Sequence, residues 1–263
     1  MVGDVRMFEL NYGYRYADDV NQPVVDALVR LRPDFGAAPA MLDIGCGSAR
    51  LGGVIRQYGY RVTGIERSDE ALAQARAAID EVLELDLTDH AGILKALGER
   101  RFDVLLFGDV LEHLADPLAT LRFYRRLLAP HGRIVISLPN IARWDRRLAL
   151  LFGRFDYAES GVMDRTHLRF FTLRTAKMLA REAGLAIVAV DHAPGIVRGF
   201  LPLIQRCFGQ SGGRTVDPNV IMQSPAYRLY EQYVLPGEYW LSRLRRELLA
   251  FRIVLVVVPS DSD

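Results

Sequence analysis

The sequence lacks the features that mark secreted, membrane-spanning and metal-stapled proteins. Its two cysteines, Cys46 and Cys207, are too few for a disulfide framework or a thiolate zinc site. Its longest apolar stretch, 253–259, is far shorter than the roughly 20 residues that a membrane-spanning helix needs. Acidic residues occupy the start of the chain, where a secretory signal needs an apolar run. We therefore expect a protein without a membrane span in a reducing compartment, the cytoplasm.

Net charge is also nearly absent, because 33 basic residues face 32 acidic ones. This balance argues against a protein that coats nucleic acid, although a local basic patch remains open. Half of the 263 residues are hydrophobic and a quarter are charged, which excludes a disordered or collagen-like chain. A chain of this length buries enough surface to fold without disulfides or a structural metal. No linker or repeat divides it, so we predict a single domain over 1–263.

Apolar runs of strand length alternate with helical patterns along the chain. This alternation is typical of βαβ units, and it predicts an α/β fold with a mostly parallel sheet. Two segments, 140–171 and 193–246, interrupt the alternation after strands, and we predict that they are insertions that cap a substrate site. The tyrosine-rich segment 1–36 is predicted to form an N-terminal lid. Strands are predicted at 40–44, 61–66, 82–85, 102–107, 133–138, 185–190 and 251–258.

A glycine-rich turn separates the first predicted strand from the helix that follows it. Gly45 and Gly47 allow a tight turn and a close approach of the backbone to a ligand, and the helix start presents free N–H groups. A dinucleotide-binding fingerprint needs a third glycine at the position of Arg50, which argues against a nicotinamide oxidoreductase. The turn alone is a weak indication of ligand binding, since it also suits a purely structural role.

Three acidic residues strengthen the ligand-binding interpretation. Asp43, Glu66 and Asp86 each lie at or near the end of one of three successive strands, and such strand ends line the crevice where open α/β sheets bind ligands. Glu66 is placed to accept both hydroxyl groups of a ribose. Asp86 suits an exocyclic amine, and Leu87 suits the face of a purine. Any one of these acids alone is equally explained as a helix cap or a solvated loop residue, whereas the three together favour a nucleoside ligand.

These motifs resemble those of the class I S-adenosylmethionine-dependent methyltransferases. The likeness is strongest to the subgroup of ubiquinone-biosynthesis O-methyltransferases and bacterial sugar and natural-product methyltransferases. It covers roughly residues 12–190 and the final strand, and one departure is His131, where the family often has glycine. The resemblance implies a Rossmann-like, seven-stranded, mostly parallel sheet with helices on both faces and an antiparallel last strand. The residues that carry it are 42–48, Glu66, Asp86 and Leu87, 102–114 and 130–140.

The resemblance also implies that S-adenosylmethionine is the cofactor and assigns roles around it. Asp43 and the two glycines of the turn would hold the methionine end, and Glu66 would hold the ribose. Asp86 and Leu87 would hold the adenine, while the end of the fourth strand would line the sulfonium. The full set of predicted cofactor-binding residues is Asp43, Gly45, Cys46, Gly47, Glu66, Arg67, Asp86, Leu87, Gly108 and Asp109.

Candidate catalytic residues follow the fourth strand. If the turn there is helical, its spacing places Asp109, Glu112 and His113 on one face. His113 is a candidate general base, because an unperturbed imidazole titrates near neutral pH. The alternative is that His113 braces the turn and that Glu112 is buried against a backbone N–H. His167, in the first insertion, is the second candidate catalytic residue.

The same residues raise the question of a metal. Asp109, Glu112, His113 and His167 together resemble the divalent-metal site of the small-RNA 2′-O-methyltransferases, and the ubiquinone enzymes share a Glu-x-x-Glu-His part of it. Asp109 is one methylene shorter than the glutamate of that pattern. We therefore favour a metal-free base, and these four residues would be the ligands if a metal were bound.

The sequence thus predicts an enzyme that methylates an oxygen, or with less support a nitrogen, of a small metabolite such as an anionic sugar, a quinone or a natural-product intermediate. Residues 141–181 carry nine basic residues against four acidic ones, which suits either an anionic acceptor or a solvated helix face. Two alternatives stay open. One is a metal-dependent RNA ribose 2′-O-methyltransferase, against which the balanced charge argues, and the other is a non-catalytic module that binds the cofactor. The sequence leaves the oligomeric state open.

Overall fold

The computed structural model describes residues 20–197 and 229–260, and its strands form one sheet. In chain order the strands are β1 (Ala40–Ile44), β2 (Arg61–Glu66), β3 (Glu81–Glu84), β4 (Phe102–Gly108), β5 (Leu128–Pro139), β6 (Leu185–Pro194) and β7 (Ala250–Pro259). Across the sheet the order is β3-β2-β1-β4-β5-β7-β6.

The strand directions confirm the predicted architecture. β1 pairs in parallel with β2 and β4, β2 with β3, and β4 with β5. β7 runs antiparallel to both of its neighbours, β5 and β6. All seven predicted strands are present, but β5 begins five residues earlier than expected, at Leu128, and β6 continues to Pro194. Because the parallel strands share one direction, their carboxyl ends meet at one edge of the sheet.

Helices connect the strands, and several begin at the residues that the sequence indicated. Asp116 accepts a hydrogen bond from the amide of Ala119, and Thr172 and Thr175 form a capping box. Short 3₁₀ helices span Arg32–Asp34 and Leu111–His113. The α-helices are α1 (Gln22–Leu31), α2 (Arg50–Arg56), α3 (Asp69–Ala78), α4 (His90–Leu97), α5 (Pro117–Arg125), α6 (Trp144–Leu151), α7 (Leu173–Glu182), α8 (Leu235–Leu244) and α9 (Arg246–Leu249).

Both faces of the sheet are buried, as the apolar sequence of β4 predicts. Leu105 and Phe107 pack in one cluster with side chains of α4, α5 and α7. Val104 and Leu106 point to the other face and pack with side chains of α1, α2 and α3. Successive strand residues alternate between faces, so a strand covered on both sides is apolar throughout.

The predicted insertions differ in how much of them the structure describes. Segment 140–171 is closed at its base by a bridge between Asn140 and Phe171, and it contains α6. In segment 193–246, residues 198–228 lie outside the described part. Within the described part, α8 is joined to β6 by a 2.6 Å hydrogen bond between His192 Nε2 and Ser242 Oγ.

The N-terminal segment is described from residue 20. α1 packs on the sheet, with Val24 and Leu28 in the buried cluster of that face. The lid predicted for 1–36 therefore stays a prediction for residues 1–19, which lie outside the described part. Among the helices of residues 20–197 and 229–260, none is long and apolar enough to cross a membrane.

Candidate active site

The glycine turn lies at the carboxyl edge of the sheet, between β1 and α2. The amides of Gly45 and Cys46 donate to the carbonyl of Ile65 in β2, at 2.9 and 3.1 Å, and so hold the turn against the neighbouring strand. Gly45 has a φ of +73°, and a Cβ there would lie 2.8 Å from Val110 and 3.3 Å from Leu87. Only glycine combines this left-handed backbone with so close an approach. The turn therefore touches both the segment after β3 and the segment after β4.

Glu66 at the end of β2 connects this turn to α3. One carboxylate oxygen accepts the amide of Gly47 at 2.9 Å, and the other accepts the amides of Arg67 and Ser68 at 2.7 and 2.8 Å. Gly47 itself has a left-handed φ of +53°. The structure thus brings Glu66, Arg67 and the glycine turn together. The ribose-binding role of Glu66 stays a prediction.

Asp43 at the end of β1 is almost fully buried behind the turn. Burial raises the pKa of its carboxyl to about 7, and the negative charge of Glu66 adds to the rise. A substantial fraction of this group is therefore protonated at neutral pH. A positively charged ligand group beside Asp43 would favour the carboxylate form, because opposite charges stabilise it.

Asp86 and Leu87 follow β3 and form part of the same edge. Asp86 Oδ1 accepts the hydroxyl and the amide of Thr88, at 2.6 and 2.8 Å, and these bonds lower its pKa below the ordinary value. Arg67 pairs with Asp86 Oδ2 at 2.6 Å, in an exposed contact that contributes little stability. The Tyr124 hydroxyl donates to the carbonyl of Leu87 at 3.2 Å. Asp86 therefore lies at the expected edge and also closes a turn, while its role toward adenine stays a prediction.

β4 ends at Gly108, and the backbone then turns sharply. A Cβ on Gly108 would meet nothing within 4 Å, so the strand end faces open space. Asp109 has a left-handed φ of +56°. Its carboxylate accepts the Ser137 hydroxyl at 2.6 Å and pairs with Arg252 at 2.8 Å. Asp109 is thereby tied to β5 and β7.

Three further polar side chains come together beside this turn. Glu112 and His113 belong to the 3₁₀ helix after β4, and His167 comes from segment 140–171. One candidate ligand atom of each lies within 4.8 Å of the other two, and the two imidazole rings meet edge to face with centroids 4.7 Å apart. The amides of Leu168 and Arg169 donate to the carbonyl of Glu112, at 2.8 and 3.0 Å. Segment 140–171 is thus hydrogen-bonded to the turn after β4. We name Glu112, His113 and His167 the acid–imidazole cluster.

Burial governs the charge state of the acid–imidazole cluster. Glu112 is 1% exposed, and neither of its carboxyl oxygens has a hydrogen-bond partner in the described part of the chain. Burial, with the nearby charge of Asp109, raises the pKa of Glu112 to about 8. Burial also lowers the pKa of His167 below that of a free imidazole. Both shifts favour neutral forms at neutral pH.

The shared face of Asp109, Glu112 and His113 was expected only if the turn after β4 is helical, and the turn is not helical at Asp109. The left-handed backbone at Asp109 interrupts the helical spacing, because the 3₁₀ helix begins only at Leu111. Three of the four residues named as a conditional metal set meet, whereas the carboxylate of Asp109 lies near them but is bound by Ser137 and Arg252.

Sequence reasoning missed three residues at this edge. Arg252 reaches Asp109 because antiparallel β7 places it opposite Pro139 at the end of β5. Thr166 contacts both Asp164 and His113. Asn21 donates to the hydroxyl of Ser137 at 2.7 Å from just before α1. For Thr166 the run from Asp164 to His167 held a signal, since an acid two residues before a threonine often closes a turn.

The chain is similar to known methyltransferases. A family model described as a methyltransferase domain matches residues 16–190. A ubiquinone biosynthesis O-methyltransferase of Caulobacter sp. (strain K31) is 35% identical over 129 residues, which cover 48% of this chain and 50% of that protein. One of Dinoroseobacter shibae is 34% identical over 170 residues, covering 63% of this chain and 65% of that protein. The chain thus spans between half and about two thirds of the length of these relatives.

A solved structure shows the same fold. The SAM-dependent methyltransferase of Archaeoglobus fulgidus has a TM-score of 0.54 to this chain at 16% identity, covering 95% of this chain and 99% of that one. The family model covers more than half of the chain and includes the glycine turn, the three strand-end acids and the acid–imidazole cluster. The chain therefore belongs to the class I S-adenosylmethionine-dependent methyltransferases.

Proposed function

We propose that this protein transfers a methyl group from S-adenosylmethionine to an oxygen atom of a small-molecule acceptor, with His113 as the general base. The observation that carries the proposal is the close approach of Gly45 to Val110, which joins the glycine turn to the turn that bears Glu112 and His113. A cofactor held at the first turn and an acceptor held at the second would then share one crevice.

The residues at the sheet edge fit the cofactor by their chemistry. Bound S-adenosylmethionine would supply a methyl carbon on a positively charged sulfur. The buried carboxyl of Asp43 suits the ammonium of its methionine end, and Glu66 suits the two ribose hydroxyls. Asp86 and Leu87 suit the amine and the face of the adenine. The open space beyond Gly108 leaves room for the reacting atoms at the end of β4.

The cluster favours oxygen over nitrogen as the methyl acceptor. An amine attacks through a free lone pair, whereas a hydroxyl becomes a good nucleophile only as its proton is removed. The imidazole of His113 can accept that proton. Burial raises the pKa of its neighbour Glu112 and lowers that of its neighbour His167, so both shifts favour the uncharged forms. Such perturbed groups beside a crevice favour a catalytic role over a merely structural one. The names of the O-methyltransferase relatives agree with this choice.

Segment 140–171 supports a small acceptor. Two of its amides donate hydrogen bonds to the carbonyl of Glu112 in the turn after β4, and a cap at that turn would exclude water. We propose that this segment, with segment 193–246 and the N-terminal lid, encloses the acceptor within a single domain. The acceptor classes remain an anionic sugar, a quinone or a natural-product intermediate. The nearly balanced charge of the chain favours these over nucleic acid.

The test is a comparison of acceptors. We would incubate the full chain with S-adenosylmethionine and, separately, simple catechols, uronic acids, sugar phosphates, primary amines and short RNA. Release of S-adenosylhomocysteine and a product heavier by one methylene would be measured by mass spectrometry. We expect methylation of at least one hydroxyl acceptor, and little of the amines.

Three results would contradict the proposal. Methylation confined to amines would contradict a hydroxyl acceptor and its general base. Methylation of RNA would contradict a small-molecule acceptor. Cofactor binding without turnover on extracts of small metabolites would favour a binding module.

A further inference from the structure

The turn formed by Asp164 and Thr166 lies against His113, and neither residue has an assigned function. The hydroxyl oxygen of Thr166 lies 2.7 Å from Asp164 Oδ1 and 3.1 Å from His113 Nδ1. The amide of Thr166 donates to the same Asp164 oxygen at 2.8 Å. The carbonyl of Thr166 lies 3.3 Å from His113 Nδ1. His113 Nδ1 therefore faces two oxygens of one residue.

The hydrogen atoms in this chain of contacts have one consistent assignment. Asp164 is ionised, since the hydroxyl and amide of Thr166 lower its pKa, and a carboxylate can only accept. The single hydroxyl hydrogen of Thr166 must then point to Asp164. The Thr166 hydroxyl oxygen is consequently an acceptor toward His113, as is the Thr166 carbonyl. Two acceptors facing Nδ1 require that Nδ1 carry a hydrogen, so the neutral ring has its lone pair on Nε2.

His167 is held in the same way. Its Nδ1 lies 3.2 Å from the carbonyl of Val162, which can only accept a hydrogen bond. The nitrogen that each imidazole has left for chemistry is therefore Nε2. Two neighbouring rings whose Nδ1 atoms both face backbone or threonine oxygens support orientation for a reaction.

We infer that Asp164 and Thr166 are positioning residues that fix His113 in the Nδ1–H tautomer, so that Nε2 removes the acceptor's proton. The inference rests on the proposed function. In the step, the acceptor O–H bond breaks and its proton goes to Nε2. The acceptor oxygen forms a bond to the methyl carbon, and the carbon–sulfur bond breaks with its electron pair going to sulfur. The Nδ1–H of the resulting imidazolium points toward Thr166, behind which the negative charge of Asp164 lies. The imidazolium later returns its proton to water.

The arrangement makes Asp164 more important than its distance from His113 suggests. Without the carboxylate, the Thr166 hydroxyl is free to rotate and to donate to Nδ1. That hydrogen bond would stabilise the opposite tautomer, in which Nε2 carries the hydrogen and cannot act as a base. Removing Asp164 should therefore harm catalysis more than removing the Thr166 hydroxyl, and removing both should harm it less than removing Asp164 alone.

The first test determines the tautomer of His113 in the absence of any methyl acceptor. Long-range ¹H–¹⁵N spectra of the full chain with labelled histidine distinguish Nδ1–H from Nε2–H, and a His113→Gln variant assigns the signal. We expect Nδ1–H in the unaltered protein and in Thr166→Ser, a mixture in Thr166→Val, and mainly Nε2–H in Asp164→Ala. An Nε2–H signal in the unaltered protein, or no change in Asp164→Ala, would overturn the inference.

The second test uses methylation of the best hydroxyl acceptor from the screen, followed as kcat and KM. We expect kcat to fall roughly 10-fold in Thr166→Val and roughly 100-fold in Asp164→Ala, within the range that a general base contributes. The double variant should recover to about the level of Thr166→Val, and Thr166→Ser should retain most of kcat. A double variant as slow as Asp164→Ala or slower would show a structural role only.

A matched control separates the loss of a threonine hydroxyl from the loss of this contact. Thr172 directly follows segment 140–171 and caps α7, so Thr172→Val should lower stability with little change in kcat and none in the His113 signal. The proposed O-methylation and the positioning role of Asp164 and Thr166 are contradicted by different results. The Nδ1–H signal without O-methylation would contradict the proposed function alone, and O-methylation with an unresponsive tautomer would contradict the positioning role alone.

Discussion

At the scale of single residues, one backbone dihedral decides which side chains share the site. The left-handed φ of +56° at Asp109 directs its carboxylate to Ser137 and Arg252. Non-glycine residues adopt this conformation rarely, and they persist there when surrounding contacts hold them. Because Asp109 is held in this way, Glu112 is left as a buried carboxyl beside two imidazoles.

We predict that Glu66→Ala weakens the binding of S-adenosylhomocysteine by about 2–4 kcal/mol, because two charge-assisted hydrogen bonds to the ribose are lost. Isothermal titration calorimetry would measure the change. Glu70→Ala, an exposed glutamate in the first turn of α3, is the matched control and should leave the affinity unchanged. Unaltered affinity in a folded Glu66→Ala protein would refute the ribose assignment.

Substitutions in the acid–imidazole cluster, together with a chelator, distinguish a general base from a metal site. We predict that His113→Ala lowers turnover roughly 10²–10⁴-fold with cofactor affinity intact, and that a chelator has no effect. His131→Ala, an exposed histidine near the start of β5, is the control. If a chelator abolished activity, Mg²⁺ or Mn²⁺ restored it, and His167→Ala were as damaging as His113→Ala, then a metal would orient the acceptor instead.

At the scale of elements, the start of β5 shows what the departure at position 131 means. The resemblance to the class I methyltransferases suggests glycine where this chain has His131, and the sequence alone gives no reason for either residue. In the structure His131 has a left-handed φ of +66° at the irregular start of β5. This backbone conformation favours glycine, so histidine carries a conformational cost there.

We predict that His131→Gly raises the free energy of unfolding by about 0.5–1 kcal/mol, the difference between relieved strain and the larger entropy of an unfolded glycine. Urea denaturation would measure it. His131→Ala is the control, since alanine has no advantage at positive φ and should not stabilise the protein. A His131→Gly variant that is equally or less stable would contradict the strain.

At the scale of the whole molecule, local patterns predicted the fold and the distant contacts escaped them. Alternating apolar runs predicted all seven strands, and the acids at the ends of β1, β2 and β3 were correctly placed along one edge. Periodicity could not predict the turn at Asp109, because it assumes a regular helix that the structure interrupts. Arg252 reaches the site across 143 residues of sequence through the pairing of β5 with β7, which no local pattern encodes.

At the carboxyl edge of the sheet, the buried carboxyl of Asp43 that is proposed to bind the cofactor also makes the free energy of unfolding depend on pH. Its pKa is about 7 in the folded chain, well above the ordinary value of 3.8, because it is buried and lies near Glu66. Between those two pH values the folded state holds a proton that the unfolded state has released. The free energy of unfolding therefore falls as pH rises through this range, by up to about 4 kcal/mol from this group.

We predict that Asp43→Asn removes the fall in the free energy of unfolding that Asp43 causes as pH rises. Its stability relative to the unaltered protein should increase from pH 4 to pH 7 and then stay constant, as measured by urea denaturation across that range. The asparagine should also bind S-adenosylhomocysteine more weakly, because the ligand's ammonium favours a carboxylate. Near pH 6.5, binding to the unaltered protein should release a proton that binding to Asp43→Asn does not, which calorimetry in buffers of different ionisation enthalpy detects. A stability difference that does not change with pH would mean that Asp43 titrates as an ordinary carboxyl, and equal proton release in both proteins would place the ammonium elsewhere.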